Sequence, residues 1–580
     1  MRDISSGALG ELNGSTELRP AIMAMCQLLG REIKTRSYLV SSFDPGAGKT
    51  GALCAFLRSW KSSGFQPPSG VLVVLSTRKE IESCIHRADL EPSDFAVLVQ
   101  KGLELNEKGR PDADSAPILF TTQEKLRRLC YGRSFAEVTS LHFLGRPRAL
   151  RVWDEAFLPA SPATIRKDTL VSALEELRPI APFLAEDIEA LAASLGTDGS
   201  PLDAEVPSSI RSVYAALRDH LGTATAERWA PLQGLAGRTV ATVNGGSKGL
   251  CLAGGGSPLP ADFAPALILD ASGRVRETYK TMEANGLLQR LPSASTDYSR
   301  LTLHHWDRAA SRSTLKDPIA RREIMKTAAA VINESAPDER WLIIHPKARA
   351  WDGFDAFEEL CSHVAGPERL SSLHWGNHHG TNEYRDIRKV IVLGLWTLPL
   401  EAYTALHLAA GGSLETAADK ATIDAIRIGE HKHYLLQAIC RASVRQGSGG
   451  VCGECEVFLI GKLGPNAKAL LQETFPAAEV TEWTPEDLGL KGSALRVARE
   501  LERCFGEGGL EEISKAALRA ALGLQTTDAL AKVLRRDDFR TWADQRGIEV
   551  TTRAIRDRKA QVRASDCGPS QSRLVSLSGL

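Results

Sequence analysis

Short apolar runs bounded by turn residues alternate along this chain with stretches whose apolar positions recur at helical spacing. The runs at 38–41, 71–75, 118–120, 150–153 and 267–269 lack polar alternation, the pattern of strands covered on both faces in a parallel sheet. A second series at 341–344, 390–393 and 457–460 predicts another such sheet. Between about 160 and 255 the pattern changes: 184–195 and 210–221 read as amphipathic helices, and a glycine-rich, hairpin-like stretch follows at 245–256. That block reads as an insertion into the first sheet domain. Beyond about residue 488 the pattern is helical. Apolar positions at helical spacing flank Gly523-Leu524-Gln525-Thr526, with Thr526 or Thr527 placed to cap, which predicts a helix-turn-helix unit.

The expected order is an amino-terminal segment at 1–37, a first α/β domain at 38–300 with a helical insertion at about 160–255, and a second α/β domain at 301–485. A carboxyl-terminal helical domain at 486–560 and a disordered tail at 561–580 complete it.

Charge changes the picture in one respect. The 71 Lys and Arg balance 71 Asp and Glu, so no global field recruits a polyanion, and any nucleic acid must bind in a local cleft. The amino-terminal stretch lacks the apolar core of a signal peptide, and the most apolar later stretch, 390–406, is broken by Pro399 and Glu401. The expectation is a cytoplasmic chain with no membrane segment. Its 11 cysteines, among them Cys26, Cys54, Cys84 and Cys130, are scattered as reduced core thiols are.

Candidate chemistry begins at FDPGAGKT, residues 43–50, between the first apolar run and a helix-forming run at 51–60. A strand feeding a glycine turn that ends in Gly-Lys-Thr at a helix start is a phosphate cradle, because backbone N–H groups and the helix dipole face the anion. Pro45, Gly46, Ala47, Gly48, Lys49, Thr50 and Gly51 form it here, with Lys49 on the terminal phosphates and the Thr50 hydroxyl on magnesium. Phe43 stands where the full pattern has glycine. The expected ligand is a nucleoside triphosphate with magnesium. About one hundred residues on, LRVWDEAF puts Asp154 and Glu155 at the carboxyl end of a strand, where ligands collect in open sheets. Asp154 suits hydrated magnesium, and Glu155 suits orienting or deprotonating the attacking water.

With these two motifs in this order, the chain resembles the DEAD/DEAH-type helicases of helicase superfamily two. The resemblance implies two tandem RecA-like P-loop NTPase domains and ATP hydrolysis dependent on nucleic acid, and the carboxyl-terminal helix-turn-helix unit, as a docking module, makes DNA the expected partner. It also implies that Thr77 and Arg78 in VLVVLSTRKEI, and Thr121 and Thr122 in ILFTTQEKL, lie along a bound strand, with Gly380, Thr381 and Asn382 serving nucleic acid or nucleotide from the second sheet. LILDASG is similar to the motif that links hydrolysis to strand movement. In LLQAICRASVRQG, Gln437, Arg441 and Arg445 recur every four residues and would share a helix face. The family places such a face across the cleft from the cradle, where arginines stabilise phosphoryl charge. Members of the family also read adenine through Arg-Pro-aromatic-Gln; here Leu18-Arg19-Pro20 runs into Ala21-Ile22, with Gln27 as a substitute.

Cys452 and Cys455 have zinc-knuckle spacing, but a structural zinc site needs four ligands and no second such pair exists. The alternative reading of the whole chain is a DNA-binding regulatory or sensor protein whose helicase-like core is switched by ATP without separating strands.

Overall fold

A computed structural model describes residues 2–12, 17–64, 69–100, 102–172, 174–195, 203–212, 219–220, 222, 227–245, 249–293, 295–350, 352–376, 383–484, 490, 492–507 and 509–558. Both sheet domains are α/β layers built on parallel strands. The first sheet has seven parallel strands in the order Leu288–Arg290, Tyr38–Ser41, Leu267–Leu269, Leu150–Asp154, Val71–Leu75, Ile118–Thr122 and Phe95–Leu98. Side chains alternate between its faces as the pleat requires. Val71, Val73 and Leu75 join one core, shared with helices Arg19–Leu29 and Lys49–Ser62, while Leu72 and Val74 join the other.

The second sheet has six parallel strands in the order Leu370–His374, Trp341–His345, Lys389–Leu393, Cys455–Ile460, Leu301–Trp306 and Glu479–Glu482. Burial of both faces explains the unbroken apolar runs Trp341 to Ile344 and Val390 to Leu393.

The insertion is helical only in part. Helix Pro182–Ser194 packs with a four-stranded antiparallel sheet in the order Ser161–Arg166, Leu250–Gly256, Arg238–Asn244 and Asp203–Val206, around Ile188, Trp229 and Leu235. The glycines of Leu250–Gly256 serve close approach. A Cβ on Gly255 would lie 3.0 Å from Ala409 Cα, because helix Leu400–Ala409 rests directly on this strand.

That helix belongs by sequence to the second domain and by packing to the first. Tyr403, Leu406 and Ala409 share a core with Tyr38, Trp153 and Phe157, and Ile423 and Ile426 join them. The helix Lys420–Ile439 then crosses the boundary, since its later residues Leu435, Leu436 and Ile439 lie in the core of the second sheet. The domain limit expected at residue 300 is therefore a limit of sheets, and residues 398–426 cover the first one.

The carboxyl-terminal unit contains the expected turn. Helix Lys515–Ala521 is followed by Gly523 at φ 63°, and Thr526 caps helix Thr527–Leu534 by accepting the Ala529 N–H at 3.3 Å. A three-stranded antiparallel sheet, ordered Glu512–Ser514, Ala554–Asp557 and Ile548–Val550, accompanies the helices. The tail expected at 561–580 and most of the helix expected at 210–221 lie outside the described residues. Among the described residues no helix is long and apolar enough to cross a membrane. Every described cysteine is a free thiol, and all but Cys361 are buried.

Candidate active site

The strand Tyr38–Ser41, buried throughout, delivers the chain into the cradle turn. Gly46 and Gly48 adopt φ 95° and 91°, the left-handed region that side chains disfavour. Helix Lys49–Ser62 begins on Gly48, which has no side chain to cap it, so the first-turn N–H groups keep the orientation that suits an anion. Lys49 Nζ donates to the carbonyls of Phe43 and Asp44, the latter at 3.2 Å. Phe43, the departure from the usual glycine, is buried in the core beneath the turn and contributes only its backbone to the cradle.

Thr50 Oγ1 donates to Asp154 Oδ2 at 3.2 Å, which joins the cradle to the strand Leu150–Asp154. Glu155 follows at φ 76°, uncommon for a residue other than glycine, while its N–H still pairs with the Leu269 carbonyl at 2.9 Å. Strained backbone of this kind concentrates where function demands a fixed orientation. Gln123 Nε2 donates to the Asp154 carbonyl at 2.8 Å and supports the same turn. Burial, reinforced by the adjacent Glu155, pushes the Asp154 carboxyl up to about 7. Burial also lowers Lys49, against the opposing pull of Asp270, Asp154, Asp44 and Glu155.

The Thr50 hydroxyl and Asp154 carboxylate form a pair of hard oxygen donors, and this fits magnesium, which takes few protein ligands and fills its octahedron with water and phosphate oxygens. Among the described residues no three His, Cys, Asp or Glu side chains form a group able to hold a metal ion.

The second domain reaches this site along helix Lys420–Ile439. Gln437 Nε2 donates to Ser272 Oγ at 3.2 Å, and His433 Nδ1 lies 2.5 Å from the same oxygen. Asp270 fixes the Ser272 turn by accepting the Ser272 N–H at 2.9 Å and the Tyr279 hydroxyl at 2.6 Å. Arg441 donates to Gln437 Oε1 at 3.4 Å. The expected single helical face is corrected here: the helix ends at Ile439, and Arg445 sits on a separate 3-10 turn, Ser443–Arg445. The chain turns because the Ser443 N–H leaves the helix for the Ile387 carbonyl at 2.9 Å. The backbone of Arg445 still lies against the cradle. A Cβ on Gly46 would stand 2.7 Å from the Arg445 carbonyl oxygen, and Glu155 acts electrostatically on both guanidinium groups. Burial lowers the pKa of Arg441 and of Arg445, and for Arg445 the neighbouring Arg441 adds to the effect.

The residues expected along a nucleic-acid strand separate into groups. Thr77 and Arg78 are exposed at the start of helix Arg78–Arg87, with Thr77 and Glu80 forming a reciprocal cap. Thr122 is half-buried and caps helix Gln123–Cys130. Thr121 is fully buried, and its hydroxyl donates to the Leu98 carbonyl at 2.7 Å, so it presents nothing outward. Gly380, Thr381 and Asn382 lie outside the described residues. Gln27, considered above for adenine, is nine residues beyond Leu18, whose side chain a Cβ on Gly48 would meet; at 1.5 Å per helical residue that is about 13 Å along the helix.

Four members of the site escaped the sequence pattern: Asp44, Gln123, Arg274 and His433. Each is an ordinary residue type whose partner is distant in sequence.

No family model matches the chain, and no curated protein matches it. Solved structures do. Xpd4 of S. tokodaii matches at a TM-score of 0.43 with 13% identity, over 79% of this chain and 98% of that one. A structure titled XPD helicase matches at 0.45 with 10% identity, over 80% and 98%. S. cerevisiae Dbp5 bound to RNA and ADP BeF3 matches at 0.36 with 11% identity, over 85% and 99%.

Proposed function

We propose that this chain is an ATP-dependent nucleic-acid helicase or translocase of superfamily two, hydrolysing magnesium-ATP in the cleft between its sheet domains. The approach of the Arg445 backbone to Gly46 supports the reading, because it brings the second-domain segment that carries Arg441 and Arg445 to a first-domain glycine turn almost four hundred positions away.

In this mechanism the N–H groups of 46–50 and the Lys49 ammonium bind and orient the phosphates. Thr50 and Asp154 would hold magnesium, which supplies charge neutralisation on the phosphate oxygens when bound. Glu155 accepts the proton of the attacking water at its carboxylate, and Arg441 and Arg445 stabilise charge that grows as the terminal phosphoryl transfers. Gln437 ties this arginine segment to Ser272, so the arginines and the Asp154-Glu155 turn share one support. Neither domain holds a complete site, and chemistry therefore depends on their closing together.

Thr77, Arg78, Thr122 and the 380–382 segment would line a single strand, with DNA as the partner and the carboxyl-terminal helix-turn-helix unit as a docking module. Free cysteines suit a reducing, cytoplasmic setting.

The experiment is ATP turnover measured alone and with single-stranded DNA, duplex DNA and RNA. Stimulation by a nucleic acid is expected, and a rate indifferent to all three would overturn the reading. Strand displacement followed alongside ATP turnover then separates unwinding from translocation.

A further inference from the structure

Arg274 belongs to none of the motifs above. It ends the 3-10 turn Ala271–Arg274 and grips both oxygens of Asp44, with Nε to Oδ1 at 2.8 Å and Nη2 to Oδ2 at 3.1 Å. The same guanidinium donates into the second domain, from Nη1 to the Glu473 carbonyl at 2.8 Å and from Nη2 to the Thr474 carbonyl at 2.7 Å. Those carbonyls close helix Ala467–Thr474, where backbone acceptors lack helical donors and the dipole attracts a cation. A lysine could not divide itself in this way; the planar fork of arginine can.

Asp44 is a built hub. Its side chain is 1% exposed, and Oδ2 also accepts the Thr296 N–H at 3.0 Å from the segment joining the two sheets. The carbonyl of Asp44 accepts from Lys49 Nζ at 3.2 Å. Direct contacts thus run from a second-domain helix end through Arg274 and Asp44 to the cradle lysine.

We propose that Arg274 is a positioning residue that makes cradle geometry conditional on the placement of the second domain, so that nucleotide and nucleic acid tighten each other's binding through the Arg274–Asp44 pair. This rests on reading the cleft as an ATP site. A pair that merely braced the first domain would have no reason to send two of its four donations across the boundary. The ion pair Arg276 Nε to Glu430 Oε1 at 2.7 Å also reaches helix Lys420–Ile439 but makes no such contact with the cradle, and it serves as a control.

The test titrates a fluorescent ATP analogue with magnesium into the full chain, with and without saturating single-stranded DNA or RNA. In the wild-type chain, nucleic acid should tighten the nucleotide by about tenfold, within the usual range of coupling between sites. In Arg274→Gln and Asp44→Asn the ratio should fall to about one, while Arg274→Lys retains a fraction because charge survives and the fork does not. The double variant Arg276→Gln/Glu430→Gln should keep the wild-type ratio. A folded Arg274→Gln chain with wild-type coupling, or equal loss in the control, would overturn the role of Arg274. A wild-type chain that binds no nucleotide would overturn the reading of the cleft itself.

Discussion

Ser272 of the first sheet domain and His433 of the second meet at 2.5 Å, Oγ to Nδ1, in a buried contact that also receives the Gln437 amide. One hydroxyl therefore joins the strand-end turn after Leu267–Leu269 to the helix that leads into Arg441. Removing it in Ser272→Ala should take a buried hydrogen-bond partner from the Gln437 amide, at a cost of about 1–3 kcal/mol. Nucleotide affinity should stay near wild type while the maximal ATPase rate falls, because the arginine segment loses its support. Thermal unfolding combined with separate kcat and nucleotide Kd measurements checks this.

Lys49→Ala should abolish turnover. The ammonium is the cradle's only side-chain cation, and its loss removes phosphate positioning that first-turn N–H groups alone do not supply. Wild-type-like ATPase in this variant would place the site elsewhere.

Glu155→Gln should retain magnesium-nucleotide binding, since Asp154 and Thr50 remain, yet hydrolyse about 10²–10⁴-fold more slowly, the usual worth of a positioned proton acceptor. Single-turnover kinetics under saturating nucleotide gives the rate directly.

Arg441→Ala should lower kcat by about 10³ or more, as expected for an arginine that stabilises phosphoryl charge, with nucleotide Kd changed far less. If kcat survives and only Kd weakens, Arg441 binds the ground state instead.

His431 predicts a pH response of stability. Burial first, then Arg427, depresses its pKa from 6.5 to about 4 in the folded chain. Between those values the unfolded chain binds the extra proton, so this contribution is complete above pH 6.5 and is lost as pH falls toward 4, about 3 kcal/mol in all. The urea midpoint should therefore fall more steeply from pH 7 to 5 in the wild type than in His431→Leu. Parallel profiles would place the acid sensitivity in other groups.

What the sequence makes legible follows from locality. Val71–Leu75 and the run Trp341 to Ile344 read clearly because both faces are buried and every position is apolar. Leu288–Arg290 and Glu479–Glu482 do not, because they are short edge strands with polar residues. The cradle and the Asp154-Glu155 turn are contiguous motifs and stand out. The spacing of Gln437, Arg441 and Arg445 points to the cleft, but the helix stop at Ile439 depends on a hydrogen bond to Ile387, which no local pattern encodes. Asp44 with Arg274, and Ser272 with His433, are pairs 230 and 161 positions apart, so neither member looks unusual until the fold brings them together.

The placement of helix Leu400–Ala409 against Tyr38, Trp153 and Phe157 governs the order in which the protein is made. On the ribosome the first sheet is complete at Arg290, yet the core on one of its faces lacks Tyr403, Leu406, Ala409, Ile423 and Ile426 until the last of them emerges, about 7–27 s later at typical elongation rates of 5–20 residues per second. Throughout that interval one core of the nascent chain is incomplete, a gap of the kind that chaperones shield.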